Sequence, residues 1–369
     1  MKILMVTDAY YPYPCGLSEF VSHLSRKLRS FGHDVDIVAT SFGSREDEKY
    51  GVRRVGRVVF IPLNKSYATM PFGFDVPAKM KWIVNDGAYD IIHLNGPIFP
   101  NLSYFALKYS QTKNVATFHT SSEKAKGYGS GIFKMIFGRQ NAKLDVRVAV
   151  SENAKIINQM YVPGYYHVIP VGVNIERFNP NGKKLKEMME NSVLFVGRLD
   201  QRKGLHRLIK AFVRVKRKIG NANLFVVGGG SLLEKYLNMV KECGIEKSVR
   251  FLGVASNEMM PEYFRSATVY TSPAEGRESF GIVLIEAMAS GTAAIASDIA
   301  GYDKVIHNGE NGLLVDTDDP NEYARAIVEV MENKRLRRKL VDGGLRDVRT
   351  KYSWDIVARR YERLYQSDH

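Results

Sequence analysis

Two glutamates, Glu278 and Glu286, bracket an apolar stretch that opens with Ser279-Phe280-Gly281 and closes with Met288-Ala289-Ser290-Gly291. A strand pattern ends near Ser272, and a helix is expected to open near Phe280. The open N–H groups of Ser279, Phe280 and Gly281 would then form an anion site, and Gly281 would let a phosphate approach the backbone. Carboxylates repel a diphosphate, so the two glutamates are expected to take hydroxyl groups, one suiting a ribose and the other a sugar. A lone pair of this kind would also fit an acid complementing a helix dipole and a solvated helical glutamate. The flanking glycines and serines favour the chemical reading.

A second feature is Gly197-Arg198-Leu199-Asp200-Gln201-Arg202-Lys203-Gly204, again between a strand and a helix pattern. Arg198 and Lys203 suit a nucleoside diphosphate leaving group. No carboxylate cluster reads as a metal site: Asp34-Val35-Asp36 leads into a strand, and Asp316-Thr317-Asp318 lies in a polar loop. Cationic side chains would then have to neutralise a departing phosphate. One unit charge at ~4 Å in an effective dielectric near 20 is worth roughly 4 kcal/mol. Acting only in the transition state, that is about three powers of ten in rate.

Two weaker features lie in the first half. Pro14-Cys15-Gly16 joins the first strand to the first helix, and Gly16 would allow close approach of a phosphate. His119 ends the apolar strand pattern at Phe118, where either a structural or a binding role fits. Gly228-Gly229-Gly230 departs from the dinucleotide G-x-G-x-x-G spacing, so NAD is not expected. No nucleophile elbow, Walker loop or H-E-x-x-H is present.

Those residues need strands and helices to carry them. Strand patterns at 2–7, 34–39, 58–61, 90–94, 115–118 and 146–150 alternate with helix patterns, beginning with 17–30. The strands are apolar on both faces, as parallel strands under helices are. Turn signals at 170–191 break the rhythm. A second series follows, with strands at 192–196, 223–227, 249–252, 268–271 and 293–296 and helices at 205–219 and 232–243. The expected fold is α/β, with two Rossmann-like doubly wound domains, 1–172 and 173–352, facing across a cleft. A last helix within 353–369 could pack back on the first domain. Ligands of such sheets bind beyond the carboxyl ends of the strands.

Composition excludes several classes. The chain has 369 residues, 45% hydrophobic and 25% charged, which fits a soluble globular protein and not a disordered or fibrous one. The net charge of +14 suggests an acidic partner: nucleic acid, anionic lipid or a phosphorylated substrate. Cys15 and Cys243 have no metal or disulfide spacing and fit a reducing compartment. The apolar stretch 281–296 falls short of the ~20 residues that span a bilayer. Residues 1–7 read as a first strand and not a signal peptide.

Taken together, the chain resembles family 4 of the retaining glycosyltransferases, which have the GT-B fold. The likeness rests on the Glu278/Glu286 motif, on Gly197-Arg198 with Arg202-Lys203-Gly204, on the Pro14–Gly16 turn and on Ala116-Thr117-Phe118-His119-Thr120-Ser121. It implies that Glu286 holds ribose hydroxyls, while Glu278 and the N–H groups of Ser279, Phe280 and Gly281 hold the donor sugar and phosphates. It implies that Arg198 and Lys203 stabilise the leaving diphosphate, that Gly16 lies against it and that His119 bonds the donor sugar. It implies retention, with no metal, no cofactor and no enzymic nucleophile. Among members that mannosylate phosphatidylinositol, Asn64, Thr120 and Lys124 match residues facing the inositol phosphate. Leu63 and Thr69 replace a tyrosine and an arginine there, and the paired glycines of the first turn are Cys15-Gly16. A His-x-His-Glu-Pro motif of those members is His93-Leu94-Asn95-Gly96-Pro97 here.

The first half is slightly the more basic, and 67–83 mixes Met70, Phe72, Phe74, Met80 and Trp82 with Lys79 and Lys81. That mixture suits an interfacial segment on anionic lipid. The expected function is hexosyl transfer, mannose from GDP-mannose, to a lipid-linked acceptor such as phosphatidylinositol on the cytoplasmic membrane face. A soluble sugar or sugar-phosphate acceptor is the alternative, and a sugar-nucleotide epimerase is a more distant one. Nucleic acid is not expected as a partner, because the glutamate pair would repel it and no nucleic-acid motif is present. The oligomeric state is left open.

Overall fold

The computed structural model describes residues 1–13, 15–42, 52–63, 66–97, 101–119, 140–188, 190–276, 278 and 280–367, with the backbone alone at 61–63 and 66–68. The chain forms two compact units, Met1–Gly172 with Trp354–His369, and Val173–Ser353.

The first unit runs β1 (Lys2–Val6), α1 (Gly16–Ser30), β2 (Asp34–Ser41), β3 (Arg53–Leu63), β4 (Ser66–Phe72) and α2 (Val76–Asp86). It continues with β5 (Ile91–Asn95), α3 (Leu102–Tyr109), β6 (Lys113–Phe118), β7 (Val146–Ala149), α4 (Glu152–Gln159) and β8 (His167–Val168). Its sheet order is β4-β3-β2-β1-β5-β6-β7-β8. Every pair is parallel except the β3–β4 hairpin. Ile3, Leu4, Met5 and Val6 are all buried, because helices cover both faces. The direction of strand progression reverses between β1 and β5, the crevice position of an open α/β sheet.

The second unit contains β9 (Ser192–Val196), α5 (Leu205–Lys218), β10 (Asn223–Val227), α6 (Leu233–Glu242), β11 (Val249–Gly253) and α7 (Met260–Ser266). After these come β12 (Val269–Ser272), α8 (Ile282–Ala289), β13 (Ala293–Ser297), β14 (Leu313–Val315), α9 (Pro320–Glu332) and α10 (Lys334–Asp347). The sheet is parallel throughout, in the order β11-β10-β9-β12-β13-β14, with the reversal between β9 and β12. Helix α5 shows why these segments are helices: Leu205, Leu208, Ile209, Phe212 and Val215 recur at helical spacing and enter the core. Lys210, Arg214, Arg217 and Lys218 occupy its exposed face. Both units are thus Rossmann-like α/β folds.

Helix α11 (Trp354–Gln366) belongs to the first unit. Trp354, Val357, Ala358, Tyr361 and Tyr365 are buried, and each large side chain contributes about 1.5–3 kcal/mol. Asp355 pairs with Lys27 at 3.0 Å and Glu362 with His33 at 2.9 Å. Tyr365 Oη meets His93 Nδ1 at 2.5 Å.

Among the differences from the sequence pattern, three stand out. Residues 66–72 form a strand paired with β3, which itself extends from 53 to 63. Residues 313–347 form β14, α9 and α10, which the pattern left unassigned. Helix α8 starts at Ile282, not near Phe280, because Gly281 is its N-cap in a left-handed conformation (φ 84°). The N–H groups left open by the helix's own bonds are therefore those of Gly281, Ile282 and Val283, the Leu284 N–H already donating to the Gly281 carbonyl at 2.9 Å.

Candidate active site

In the second unit the candidate residues follow β9 and β12, the strands at the reversal. After β9, Asp200 caps a single turn, Gln201–Lys203, by accepting the Lys203 N–H at 3.1 Å. Its other carboxylate oxygen meets Arg198 Nη2 at 3.0 Å. Gly204 then adopts φ 70°, and a Cβ there would sit 1.8 Å from the Pro273 carbonyl. That close approach presses the turn against the loop after β12. The Glu275 N–H donates to the Arg202 carbonyl at 2.9 Å, and Gln201 Nε2 donates to Glu275 Oε1 at 2.7 Å.

The result is a charge cluster. Glu278 Oε1 accepts Arg202 Nη1 at 2.5 Å and Lys203 Nζ at 2.7 Å. The Glu278 side chain is 11% exposed, whereas Arg198 is 62% exposed. Two cations face one carboxylate in a sheltered place. A short N⁺–H···O⁻ bond is about twice as strong as a neutral one, so the cluster is held in position before any ligand arrives.

The glycines divide by cause. A Cβ on Gly228 would lie 1.9 Å from the Gly197 carbonyl, and one on Gly230 2.6 Å from the Leu199 carbonyl. The 228–230 run thus serves the packing of two neighbouring turns. A Cβ on Gly281 would lie 2.7 Å from the Tyr302 ring, so this glycine also has a packing reason. Tyr302 Oη shares a 2.6 Å hydrogen bond with Ser272 Oγ. Burial first, and Glu278 second, push its phenol far above the usual range, so it stays neutral. Phe280 is buried, its ring edge-on to Tyr352. Glu286 is half-buried on α8. Ser279 lies outside the described residues.

In the first unit, Gly16 opens α1, and a Cβ there would meet nothing within 4 Å. The protein's own packing does not demand a glycine at this place. His119 follows β6, with its ring edge-on to Phe20 at 4.7 Å and Nε2 3.0 Å from Asn95 Oδ1. Burial pulls its titration down to about 4, so the ring is neutral near pH 7. Asp8, after β1, accepts the Leu102 N–H at 3.0 Å, and burial lifts its carboxyl to about 7. Asn64, Thr120 and Lys124, the expected acceptor residues, lie outside the described residues.

Thus the second unit joins Arg202, Lys203 and Glu278, and sets Arg198 beside Asp200 at the rim. Sequence reasoning gave Arg202, Asp200, Tyr302 and Asn95 no role. Only Asp200 carried a local signal, an N-cap residue three positions before the end of a turn. Among the described residues, no group of three or more His, Cys, Asp or Glu could hold a metal ion.

Comparison with known proteins bears on the family and the fold. The family model "Glycosyltransferase Family 4" matches residues 14–177, and "Glycosyl transferases group 1" matches residues 177–346. A phosphatidyl-myo-inositol mannosyltransferase from Mycobacterium leprae is 34% identical over 370 residues, covering 100% of this chain and 97% of that one. The structure of a sucrose-phosphate synthase from Thermosynechococcus elongatus superposes with a TM-score of 0.75 at 24% identity, covering 99% and 98% of the two chains. The Anabaena protein HepE, in complex with UDP and glucose, gives a TM-score of 0.75 at 17% identity over 100% of both chains.

Proposed function

The chain belongs to glycosyltransferase family 4, with the GT-B fold, and on that premise we propose that it transfers mannose from GDP-mannose to a lipid-linked acceptor, with retention. That it is a hexosyltransferase follows from the family. The donor, acceptor and stereochemistry are our reading.

The observation that carries the lipid acceptor is the outer edge of the first unit. Val76, Met80, Ile83 and Val84 of α2 are buried, which leaves Trp82 exposed beside Lys79 and Lys81. Val59, Phe60 and Phe72 are exposed on the adjoining hairpin, and Phe74 is exposed just after it. Exposed aromatics interleaved with cations suit a membrane interface, where each cation contributes about 1 kcal/mol on anionic lipid. The similarity to a phosphatidyl-myo-inositol mannosyltransferase supports the same reading. Among the described residues, no helix is long and apolar enough to cross a membrane.

On the donor side, Lys203, Arg202 and Arg198 neutralise the leaving diphosphate, aided by the open N–H groups at the start of α8. Glu286 takes ribose hydroxyls, and Glu278 and His119 take hydroxyls of the sugar. No metal is required in this scheme, so turnover is expected to survive EDTA. Loss on chelation with rescue by Mg²⁺ would remove that part.

The test is co-sedimentation with vesicles, followed by transfer of labelled mannose. Binding to anionic vesicles should weaken as salt rises, since the attraction is screened within about 8 Å at physiological ionic strength. Lys79→Glu with Lys81→Glu should reduce vesicle binding and transfer to lipid, but leave GDP-mannose binding unchanged. A protein that stays in the supernatant at low salt, yet glycosylates a soluble sugar phosphate, would sink the lipid reading.

A further inference from the structure

Asn95 ends β5, and the parallel register sets it beside Thr117 of β6, so His119 lies two residues further along. One diagonal contact occurs twice: His93 Nε2 to Thr117 Oγ1 at 2.8 Å, and Asn95 Oδ1 to His119 Nε2 at 3.0 Å. Asn95 is buried. Its Nδ2 donates to the Val6 carbonyl at 3.0 Å, and its backbone N–H donates to Ser103 Oγ at 3.1 Å. A carbonyl has no proton to give, so the amide nitrogen must face Val6 and the amide oxygen must face His119. That oxygen only accepts, so Nε2 carries the ring proton. A neutral imidazole has one N–H, which leaves Nδ1 as an acceptor.

We infer that Asn95 is a positioning residue that holds His119 as the neutral Nε2–H tautomer, so that Nδ1 accepts a hydrogen bond from a sugar hydroxyl. The sugar contact rests on the function proposed above; the tautomer does not. An acceptor-only nitrogen selects a hydroxyl and disfavours phosphate oxygens, which near neutral pH are mainly acceptors. An amide is suited to this work because it holds the ring without charging it. A carboxylate in the same place would stabilise the imidazolium.

The titratable groups on the surrounding elements are His93 of β5, Tyr361 and Tyr365 of α11, His23 of α1 and Asp8 after β1. His93 is pushed down to about 3 by burial and then by His119. Tyr361 is raised far above its usual range by burial, and so is Tyr365. Burial lifts Asp8 to about 7, so pH profiles must be read as differences from the parent.

The experiment uses full-length protein labelled with ¹⁵N-histidine, with the His119 signals assigned through His119→Gln. Long-range ¹H–¹⁵N spectra between about pH 6 and 8 should show a proton on Nε2 and a bare Nδ1. Asn95→Asp keeps the shape and the acceptor toward His119, though it gives up the donor to the Val6 carbonyl. It should retain the tautomer, raise the titration of His119 and add an acid limb to kcat that the parent lacks. Asn95→Leu should give a tautomer mixture and about a tenfold lower kcat, with little change in KM for GDP-mannose. An Nδ1–H or charged ring in the parent would overturn the inference, as would an unchanged tautomer in a folded Asn95→Leu. A parent with the expected tautomer, but with His119→Gln turning over within threefold of it, would remove the sugar contact and leave the tautomer standing.

Discussion

The two units place polar groups at the carboxyl ends of parallel strands by opposite electrostatic means. In Val173–Ser353 the groups keep their charges and pair them: Glu278 with Arg202 and Lys203, and Asp200 with Arg198. In Met1–Gly172 burial shifts the corresponding groups toward their neutral forms: His119 down to about 4, His93 down to about 3 and Asp8 up to about 7. A diphosphate needs compensating charge, and a sugar needs oriented hydrogen bonds. The contrast is the one expected if the paired cations of the second unit serve a diphosphate, while His119 in the first offers a hydroxyl an uncharged partner.

The strongest challenge to that contrast is Glu278→Gln. The carboxylate occupies both cations, so a bound diphosphate must compete with it. Removing the charge should tighten binding of free GDP several-fold, yet lower turnover by roughly 10²–10³-fold, because a preorganised contact to the sugar is lost. Calorimetry beside steady-state assays separates the two effects. Weaker GDP binding in the variant would show that Glu278 supports the cations instead of competing for them.

Graded loss among the cations sharpens the same picture. Lys203 is mostly sheltered and bonded within the cluster, whereas Arg198 is largely exposed. Lys203→Ala should cost roughly 10²-fold in turnover and Arg198→Ala roughly tenfold, since an exposed charge is screened. Equal losses would mean that exposure in the free protein does not rank these contacts.

This contrast also governs what could be read from sequence. Glu278, Lys203 and Arg198 stand out because charged residues beside glycine, between a strand and a helix pattern, are a local signal. Arg202 escapes for a local reason too: in a basic run only the capped turn decides which cation points at Glu278. Asn95 and His119 are 24 residues apart, and only the β5–β6 register brings them together. Strand β4 escapes because, among its described side chains, Thr69, Met70 and Pro71 are half-buried and Phe72 is exposed, leaving no buried alternation to recognise. The α/β class was legible throughout, since strands apolar on both faces report parallel pairing without any long-range information.

Gly16 probes the first unit without disturbing its packing. A Cβ there meets nothing within 4 Å, so Gly16→Ala should leave the melting temperature within about a degree of the parent. If a phosphate approaches this backbone, turnover should fall by roughly 30-fold, the scale of a small misplacement at a reacting centre. Unchanged turnover would remove Gly16 from the donor site.

The smallest expected effect concerns stability against pH, where the neutralised groups of the first unit act in opposite directions. The folded-state value of Asp8 lies above its unfolded one, so its contribution is present at low pH and lost as pH rises through about 7. His93 and His119 titrate below their unfolded value, so their contributions are lost as pH falls below about 6.5. Between about pH 6 and 8 the Asp8 contribution falls by roughly 1 kcal/mol and the two histidines together regain an amount of the same order, taking about 1.36 kcal/mol per pKa unit. These three groups should therefore largely cancel in the parent across this window. Asp8→Asn removes one side of the balance, and in urea melts its stability should rise more steeply than the parent's, by roughly 1 kcal/mol over the same range. His167 and His206, also pushed down by burial, add to the rise in both proteins and cancel in the difference. A variant with the same slope as its parent would mean that the Asp8 carboxyl keeps an ordinary titration, and that burial in the first unit does not shift its acid as it does its histidines.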